Sequence, residues 1–525
     1  MKIKTFFLLL CTLSFWGSAL AAPPQYKAEE VEPPHAKAII HFNSARYDLA
    51  LRVSEEILRT HPDYIPSLEL KALCYRKLKN NNEAKRIYLH LIKLTDEKED
   101  KAPYAFEVGT IHFELKNYTE AEGYFKASLK YGFNKGASHY FLGLILYQQE
   151  EYKKAEYHFA KVILSSATDL IPMSHFYLGI IYAKMGYGTG FLWAMKEADT
   201  GNAALENSSN TSTADAAKGI LKVTREILTP IDRSRFYGYV NLSSQYDSNI
   251  ASLPETVAVQ QPANQKTSKI NTTVGFGYIT SPLKPIQVNV GYKGYYNYNL
   301  NQNAKGFSFF SSMPSATISF FPYKRTYVGA KLEGNISYND RQDGTQTVFS
   351  PFSFIGNFGP FIKFEYFPKW TFTYEVTYRP KHYYQDPSTV SYKRTGNGYL
   401  NKLAVDYFSK HQALNPSVYI SQETDNTQGS EFNAEIISIG ASNLFKLNSK
   451  ENLTLAFDYA SYSYNKRVPI QRNDRNHSYR VLFTHAFTNH LSVLLDLNYI
   501  RNLSTVPTAY QYNRFMSSVG VNLSL

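Results

Sequence analysis

Cysteine is scarce in this sequence, which has two cysteines, Cys11 and Cys74, in 525 residues. Cys11 lies in an N-terminal apolar stretch that we interpret below as a cleaved signal, so Cys74 is the single thiol expected in the mature chain. One thiol excludes an internal disulfide and a cysteine-based metal cluster. A lone cysteine of this kind is most often a small core residue.

Long apolar runs are also missing. Hydrophobic residues make up 43% of the chain and the mean hydropathy is −0.36, which excludes a membrane protein with many helical spans because each span needs about 20 apolar residues. The short apolar stretch at residues 6–16 follows two lysines and precedes an A-x-A pattern at residues 19–21. This arrangement predicts a secretory signal peptide over residues 1–21, cleaved before Ala22.

Motifs for catalysis are absent. The sequence has no G-x-S-x-G elbow, no H-E-x-x-H helix, no glycine-rich phosphate loop and no cysteine–histidine grouping with metal spacing. The 13 histidines are scattered. We therefore predict that the protein is not an enzyme and that it has no cofactor, no metal and no catalytic residues.

The chain is basic, with a formal net charge of +12 and an isoelectric point near 9.1. Such a charge suits nucleic acid, anionic lipid headgroups or an acidic polymer. No compact basic helix or basic–aromatic motif accompanies it, which argues against nucleic acid.

Aromatic residues are abundant, at 15% of the chain with 43 tyrosines. Residues 370–378 (WTFTYEVTY) alternate between apolar and polar side chains, as in a strand with one apolar and one wet face. Fourteen such segments in succession predict a transmembrane antiparallel β-barrel over residues 235–525, with lipid outside and water inside. The predicted strands begin near Phe236, Lys269, Gln287, Phe307, Tyr327, Phe352, Trp370, Gly398, Asn415, Glu431, Asn452, His477, Leu491 and Tyr512.

The connections between these segments alternate in length. Tight turns follow the even-numbered strands, at residues 281–285, 322–326, 368–369, 409–412, 448–450 and 488–490. Longer polar loops follow odd-numbered strands, as at residues 251–268, 340–350, 385–395 and 501–511. Outer-membrane barrels have short periplasmic turns and long external loops. An even strand number then places both ends of the barrel, and everything before it, in the periplasm of a diderm bacterium.

Charged residues fall on the polar side of the predicted strands. Exposing them to hydrocarbon would be costly, so they are expected to face the lumen, where they either pair across it or line a wet passage. Their mixed signs argue against a strongly ion-selective porin. The predicted lumen-facing residues are Lys293, Lys331, Glu333, Lys363, Glu365, Glu375, Lys402, Asp406, Asp458, Arg480 and Asp496.

Residues 36–200 have a different period. Four alanines open amphipathic segments at intervals of 34, 37 and 34 residues: Ala50, Ala84, Ala121 and Ala155. Twelve residues before each stands a small residue: Ala38, Ala72, Gly109 and Gly143. This pattern resembles the tetratricopeptide repeat, a 34-residue helix-turn-helix, and a degenerate fifth unit surrounds Gly179. The alternative, a generic array of helical hairpins, has the same architecture.

The flanks of the repeats are predicted to be simpler. Residues 22–35 are expected to form an extended leader. Residues 201–234 are expected to form a linker and a capping helix, with a loose loop over residues 201–215 and Thr213 as the N-cap of the helix. The predicted fold class is thus a multidomain α + β chain, an α-solenoid followed by a barrel of about 14 strands.

The C-terminal residues carry a second signal for a barrel. Their pattern resembles the β-signal read by the bacterial barrel-assembly machinery, with a polar residue, a glycine two positions later and alternating apolar residues. The residues concerned are Ser518, Gly520, Leu523 and Leu525. Many such signals end in phenylalanine, whereas this one ends in leucine.

The order of signal, helical repeats and 14-stranded barrel resembles the surface lipoprotein assembly modulators. The D-S-N stretch at residues 247–249, which ends the first strand, is similar to one at that place in this and related families. The resemblance implies an outer-membrane translocation or assembly factor. Its repeats would recruit a periplasmic client or chaperone, and its barrel would deliver the client, a surface lipoprotein, across or into the membrane. Outer-membrane lipid and the barrel-assembly machinery would be its other partners.

Two alternatives stay open at this point. Exopolysaccharide export porins also place helical repeats before a barrel, and a structural tether with a plugged lumen would have the same order of domains. If the repeats bind a partner, the first helix of each pair supplies most of the concave surface. The candidate contact residues there are His41, Tyr75, His112 and Tyr147.

Overall fold

The computed structural model describes residues 28–250, 252, 266–323, 325–343, 346–409, 414–467 and 470–525. The predicted signal peptide, residues 22–27 of the leader and parts of the loops at 251–268, 340–350 and 409–412 lie outside these ranges. Two compact units are present. The first contains residues 28–181 and 194–226, and the second contains Tyr182–Trp193 and Ile227–Leu525.

The helical part begins with four pairs of helices, α1 to α8, in which consecutive helices pack against each other. Helices α9 and α10 form a fifth pair, and α11 follows. Among the described residues, no helix has the length and apolar content to cross a membrane. The bounds are α1 Ala28–Asn43, α2 Tyr47–Thr60, α3 Ile65–Lys77, α4 Asn81–Leu94, α5 Lys98–Glu114, α6 Tyr118–Lys130, α7 Lys135–Gln148, α8 Tyr152–Ile163, α9 Ile171–Met185, α10 Gly188–Leu205 and α11 Thr211–Leu228.

Small residues allow the helices of a pair to approach closely. The alanines that set the repeat, Ala50, Ala84, Ala121 and Ala155, are all fully buried. A Cβ atom added at Gly109 would lie 3.1 Å from the Phe125 ring. A Cβ atom added at Gly143 would lie 2.9 Å from the Phe159 ring. At Gly179 it would lie 2.9 Å from Met195. The predicted small positions are therefore points of close helix packing.

The prediction of an extended leader is wrong for residues 28–35, which belong to α1. The sequence favoured an extended chain because Pro33 and Pro34 lie inside this helix and remove two backbone donors. Tertiary packing outweighs that cost. Val31 is buried with Ile57 and Tyr64. The His35 imidazole packs edge-on against the Tyr64 ring, with the ring centroids 5.7 Å apart.

The predicted loose loop at residues 201–215 is also largely helical. Helix α10 continues to Leu205 and α11 begins at Thr211, so the connection spans only residues 206–210. The side-chain oxygen of Asn210 accepts hydrogen bonds from the backbone N–H groups of Ser212 at 3.1 Å and Thr213 at 3.3 Å. Asn210 is therefore the cap. Thr213, the predicted cap, is instead a buried residue of the first turn.

The second unit contains 14 strands in one closed sheet, in which every strand is antiparallel to its neighbours and the first pairs with the last. Each strand begins within six residues of its predicted start. The bounds are β1 Arg235–Asp247, β2 Thr267–Ile279, β3 Ile286–Asn299, β4 Phe309–Tyr323, β5 Thr326–Asp343, β6 Gln346–Phe364, β7 Trp370–Tyr383, β8 Gly396–Tyr407, β9 Asn415–Thr427, β10 Ala434–Lys446, β11 Glu451–Tyr464, β12 Arg472–Ala486, β13 Leu491–Ser504 and β14 Tyr512–Ser524.

The prediction of a long polar loop at residues 340–350 is wrong. Strands β5 and β6 continue as a ladder to the pair Asp343 and Gln346. A bulge interrupts this ladder, because Ser337 pairs with Ser353 whereas Tyr338 pairs with Pro351. The extra residue, Phe352, shifts the alternation by one position. The strand pattern therefore appeared to start at Phe352, although β6 begins six residues earlier.

The two faces of the sheet differ in polarity. Small polar side chains are buried on one face, for example Ser311, Thr371 and Ser518. Large apolar side chains are exposed on the other, for example Ile420 at 50% and Val519 at 57%. This is the reverse of a water-soluble protein. In a closed barrel it means a polar interior and an apolar exterior, which is the arrangement of barrels that span outer membranes.

Candidate functional site

The interior of the barrel carries most of the predicted site residues. Strand register identifies the inward face, since residues paired across neighbouring strands lie on the same side of a sheet. Lys402, for example, pairs with Glu375 and with buried Ser421. Ten of the eleven predicted lumen residues lie on this face: Lys293, Lys331, Glu333, Lys363, Glu375, Lys402, Asp406, Asp458, Arg480 and Asp496.

Glu365 is the exception, because β6 ends at Phe364 and Glu365 begins the turn that follows. Within the second unit, its carboxylate accepts hydrogen bonds from the backbone N–H groups of Thr189 at 3.0 Å and Gly190 at 3.3 Å. These groups belong to the first turn of α10, where unpaired N–H groups and the helix dipole favour an anion. The prediction that Glu365 lines the lumen is therefore wrong, and it acts as a helix cap.

Several inward charges are paired. Lys331 Nζ lies 2.7 Å from the Glu375 carboxylate, and Arg480 makes a two-pronged pair with Asp496 at 2.8 and 2.9 Å. Asp458 accepts a hydrogen bond of 2.7 Å from a tyrosine hydroxyl of β9. Pairing reduces the cost of keeping these charges in a confined interior.

A second group of inward charges was not predicted from the sequence. Arg379 contacts Glu423 at 2.5 Å, and Lys381 contacts Asp425 at 2.6 Å. Each pair joins β7 to β9 and so spans the strand between them. The alternation of polar and apolar residues continues past residue 378 in β7, so it could have identified Arg379 and Lys381 as inward-facing. Their partners could not be identified from the sequence because they depend on the register of three strands.

Aromatic side chains surround the charges at the same end of the interior. The Arg472 guanidinium lies between two tyrosine rings, 3.9 Å from Tyr464 and 3.7 Å from Tyr510, and it pairs with Asp474 at 2.8 Å. A neighbouring cavity of about 140 Å³ is lined by tyrosines together with charged and apolar side chains of β7, β9, β10 and β11. Its lining includes Lys381, Tyr383, Asp425, Tyr462 and Tyr464.

The D-S-N stretch lies where the barrel closes. Asp247 is the last residue of β1, and the three residues 247–249 make side-chain or backbone contacts with β14. Three residues of the predicted assembly signal lie on β14, and the fourth, Leu525, directly follows that strand. Ser518 faces inward, Leu523 and Leu525 are exposed, and Gly520 packs against Ser243 of β1.

The predicted partner-binding residues of the repeats are half-buried, and the side-chain contacts of three of them are to neighbouring helices. His112 stacks on Tyr124 with ring centroids 5.6 Å apart. Tyr147 packs edge-on against Tyr177 at 5.7 Å. Tyr75 points toward a glutamate of α2, with its hydroxyl 3.5 Å from the carboxylate. The fourth candidate, His41, lies in the last turn of α1.

Charges also link neighbouring repeats. Arg76 of α3 makes a two-pronged pair with Glu114 of α5 at 2.7 and 2.8 Å, and Glu107 lies 3.7 Å away. Burial raises the pKa of Glu107 despite the nearby guanidinium. Burial also raises the pKa of Glu69, although its carboxylate accepts a 2.6 Å hydrogen bond from Tyr104. These groups hold successive repeats in register.

Two histidines face each other within the fourth helix pair. The Nδ1 atoms of His139 on α7 and His158 on α8 are 2.9 Å apart. Burial lowers the pKa of both imidazoles, and the pKa of His158 falls to about 4. Among the described residues, no group of three or more histidine, cysteine or acidic side chains is arranged to hold a metal ion.

Comparison with known proteins matches the two parts of the chain separately. A family model described as tetratricopeptide repeat matches residues 65–98, which include α3 and α4. The repeats are similar to a thermophilic tetratricopeptide protein of Thermus thermophilus, with 20% identity over 36% of this chain and 98% of that chain and a TM-score of 0.29. No curated protein matches the sequence.

The barrel is similar to two solved structures, an outer membrane channel and a porin. The outer membrane channel DcaP of Acinetobacter baumannii is 10% identical over 56% of this chain and 97% of that chain, with a TM-score of 0.36. An anion-selective porin from Comamonas acidovorans is 8% identical over 56% of this chain and 99% of that chain, with a TM-score of 0.33. The described part of the chain combines tetratricopeptide-like repeats with a closed antiparallel barrel of 14 strands.

Proposed function

We propose that this protein is an outer-membrane translocation or assembly factor of a diderm bacterium. Its helical repeats recruit a periplasmic client protein, directly or through a chaperone, and its barrel delivers that client across or into the outer membrane. The client class we propose is the surface lipoprotein. The main support is that one chain joins a repeat array of a protein-binding type to a barrel with an apolar exterior and a polar interior.

The charges of the barrel interior favour a protein client over a charged polymer. Several lysine and arginine side chains there are paired with carboxylates, as in Lys331–Glu375 and Lys381–Asp425. Each such pair reduces the net electric field of the interior. A passage for an anionic polymer would be expected to present unpaired cations along its length.

Polysaccharide export is the second candidate, and one observation favours it. The 140 Å³ cavity at one end of the interior combines Tyr462 and Tyr464, whose rings stack at 6.2 Å, with the charged groups Lys381 and Asp425. Flat aromatic faces beside hydrogen-bonding groups suit the alternating apolar and hydroxyl surfaces of a sugar ring.

The remaining assignments belong to the same proposal. The repeats lie in the periplasm, the outward apolar residues contact outer-membrane lipid, and the barrel-assembly machinery inserts the barrel. The protein has no catalytic role and binds no nucleic acid.

A deletion strain tests the function. We expect cells without the gene to lose one or more lipoproteins from their surface while retaining them inside, and to keep their extracellular polysaccharide. Quantitative surface proteomics and glycan analysis measure the two outcomes. Loss of polysaccharide with intact surface lipoproteins would favour the export porin, and no change in either would favour a structural tether.

Complementation with point variants tests the recruiting role of the repeats. Tyr75 lies on α3, the first helix of its pair, whereas Tyr157 is 56% exposed on α8, a second helix. Tyr75→Ala is expected to reduce surface delivery several-fold, and Tyr157→Ala is expected to restore delivery fully. Equal complementation by both variants would contradict recruitment through the first helices.

A further inference from the structure

The geometry assigns the closing of the barrel to residues 247–249, which we call the closure segment. Every other pair of neighbouring strands is consecutive in the sequence, whereas β1 and β14 are the first and last strands and no direct loop connects them. That ladder has nine residue pairs, against thirteen between β1 and β2. Closing it brings together residues nearly 300 positions apart, which carries a large loss of chain entropy. The seam between β1 and β14 therefore needs additional contacts.

Asp247 supplies the first of these contacts. Its side chain is fully buried, and both oxygens bind Arg514 of β14, at 3.0 Å from Nε and 2.6 Å from Nη2. The oxygen that receives Nη2 also lies 3.1 Å from Lys269 Nζ of β2. One carboxylate thus joins three consecutive strands of the closed sheet, β14, β1 and β2.

Ser248 and Asn249 continue the seam beyond the ladder. The regular pairing ends at Asp247 and Met516. Ser248 then donates its N–H to the Phe515 carbonyl at 2.9 Å and accepts the Phe515 N–H on its hydroxyl at 2.7 Å. The Asn249 side chain donates to the Asn513 carbonyl at 3.1 Å. Side-chain hydrogen bonds of the closure segment therefore add to the backbone hydrogen bonds at this end of the seam.

Among the residues of the closure segment, Asp247 is expected to contribute most to the stability of the seam, because of the charges around it. With its carboxylate present, the buried Lys269 and the partly buried Arg514 share a counter-ion. Without it, two cations face each other in a confined site, which is strongly destabilising. Asp247→Asn keeps the size and shape of the side chain, removes its negative charge and replaces one acceptor oxygen with an NH2 donor.

The experiment uses the full-length protein in outer membranes. Folded barrels run as a compact species in detergent gels until heat unfolds them, so the conversion temperature reports closure. Asp247→Asn is expected to lower this temperature by about 10 °C or more. The matched control is Asp496→Asn, which removes an inward carboxylate whose partner Arg480 is 49% exposed, and a change of a few degrees is expected there.

Cysteine pairs separate closure of the seam from general stability. Ser244 is opposite Val519 across the seam and opposite Ile270 on its other side. Directly opposed positions in an antiparallel sheet lie within disulfide range. In the Asp247→Asn background, oxidised Ser244→Cys with Val519→Cys is expected to restore the wild-type conversion temperature. Oxidised Ser244→Cys with Ile270→Cys is expected to leave it low.

If Asp247→Asn alone does not accumulate in the membrane, accumulation in each cysteine background replaces the conversion temperature as the measurement. Rescue by the seam pair alone supports the inference. Wild-type behaviour of Asp247→Asn, or equal rescue by both cysteine pairs, overturns it.

Discussion

At Gly143, helices α7 and α8 pack so closely that a Cβ atom would lie 2.9 Å from the Phe159 ring. Gly123 on α6 offers a contrast, since a Cβ atom there would meet nothing within 4 Å. Gly143→Ala is expected to destabilise the repeats by about 1–3 kcal/mol through overpacking. Gly123→Ala should be neutral or stabilise by up to about 1 kcal/mol, because alanine is the better helix former.

Thermal unfolding of the full-length protein in detergent, followed by the helical signal in circular dichroism, measures both variants. A Gly143→Ala protein as stable as the Gly123→Ala protein would show that the helix pair tolerates a wider separation.

At the scale of the element, the pair formed by α7 and α8 contains a group that responds to pH. Burial, His139 and Lys126 lower the pKa of His158 to about 4, opposed by Glu122. Burial and Lys161 lower the pKa of His139. The pKa of each folded-state imidazole is thus below the roughly 6.5 of an unfolded chain. Over the pH range between the folded and unfolded pKa of His158, the unfolded state therefore binds more protons than the folded state.

Stability of the repeats is therefore expected to fall as pH decreases from about 6.5 to 4.5. The loss should be about 1 kcal/mol, since partial exposure of the imidazoles screens the effect. Helix unfolding at a series of pH values measures it. His158→Gln should flatten the profile, whereas His90→Gln, at an exposed pair with Asp63, should not. A wild-type profile without a slope in this range would refute the expectation.

Elements also show where pattern reasoning succeeds. The strands were predictable because each has one polar and one apolar face, so polar and apolar residues alternate along the sequence. β6 was cut short because the bulge at Phe352 reverses the alternation. The first part of α1, residues 28–35, was missed because Pro33 and Pro34 oppose a helix locally. The burial of Val31 against Ile57 and Tyr64 is a contact between distant residues.

For the whole molecule, the polarity of the barrel predicts how it tolerates charge. Ile420 lies at the middle of β9 on the outer face, between Leu403 and Ile439 of the neighbouring strands. Ile420→Arg is expected to cost about 2–4 kcal/mol by placing a cation in hydrocarbon. Met313, which faces inward opposite Lys293, provides the control variant Met313→Arg.

The amount of compact, heat-convertible barrel in isolated outer membranes measures both substitutions. We expect a clear reduction for Ile420→Arg and little change for Met313→Arg. The opposite order would mean that the apolar side chains face the interior, and the membrane assignment would fail.

The sequence alone determined the order of the domains, the number of strands and the face on which most inward charges lie, because these depend on periods within short stretches. Only the tertiary structure decided the partners of those charges, the cap formed by Glu365 and the closure of the first strand onto the last. Each of these depends on contact between two segments that are far apart in the chain. Local sequence patterns do not specify which residues of such segments meet.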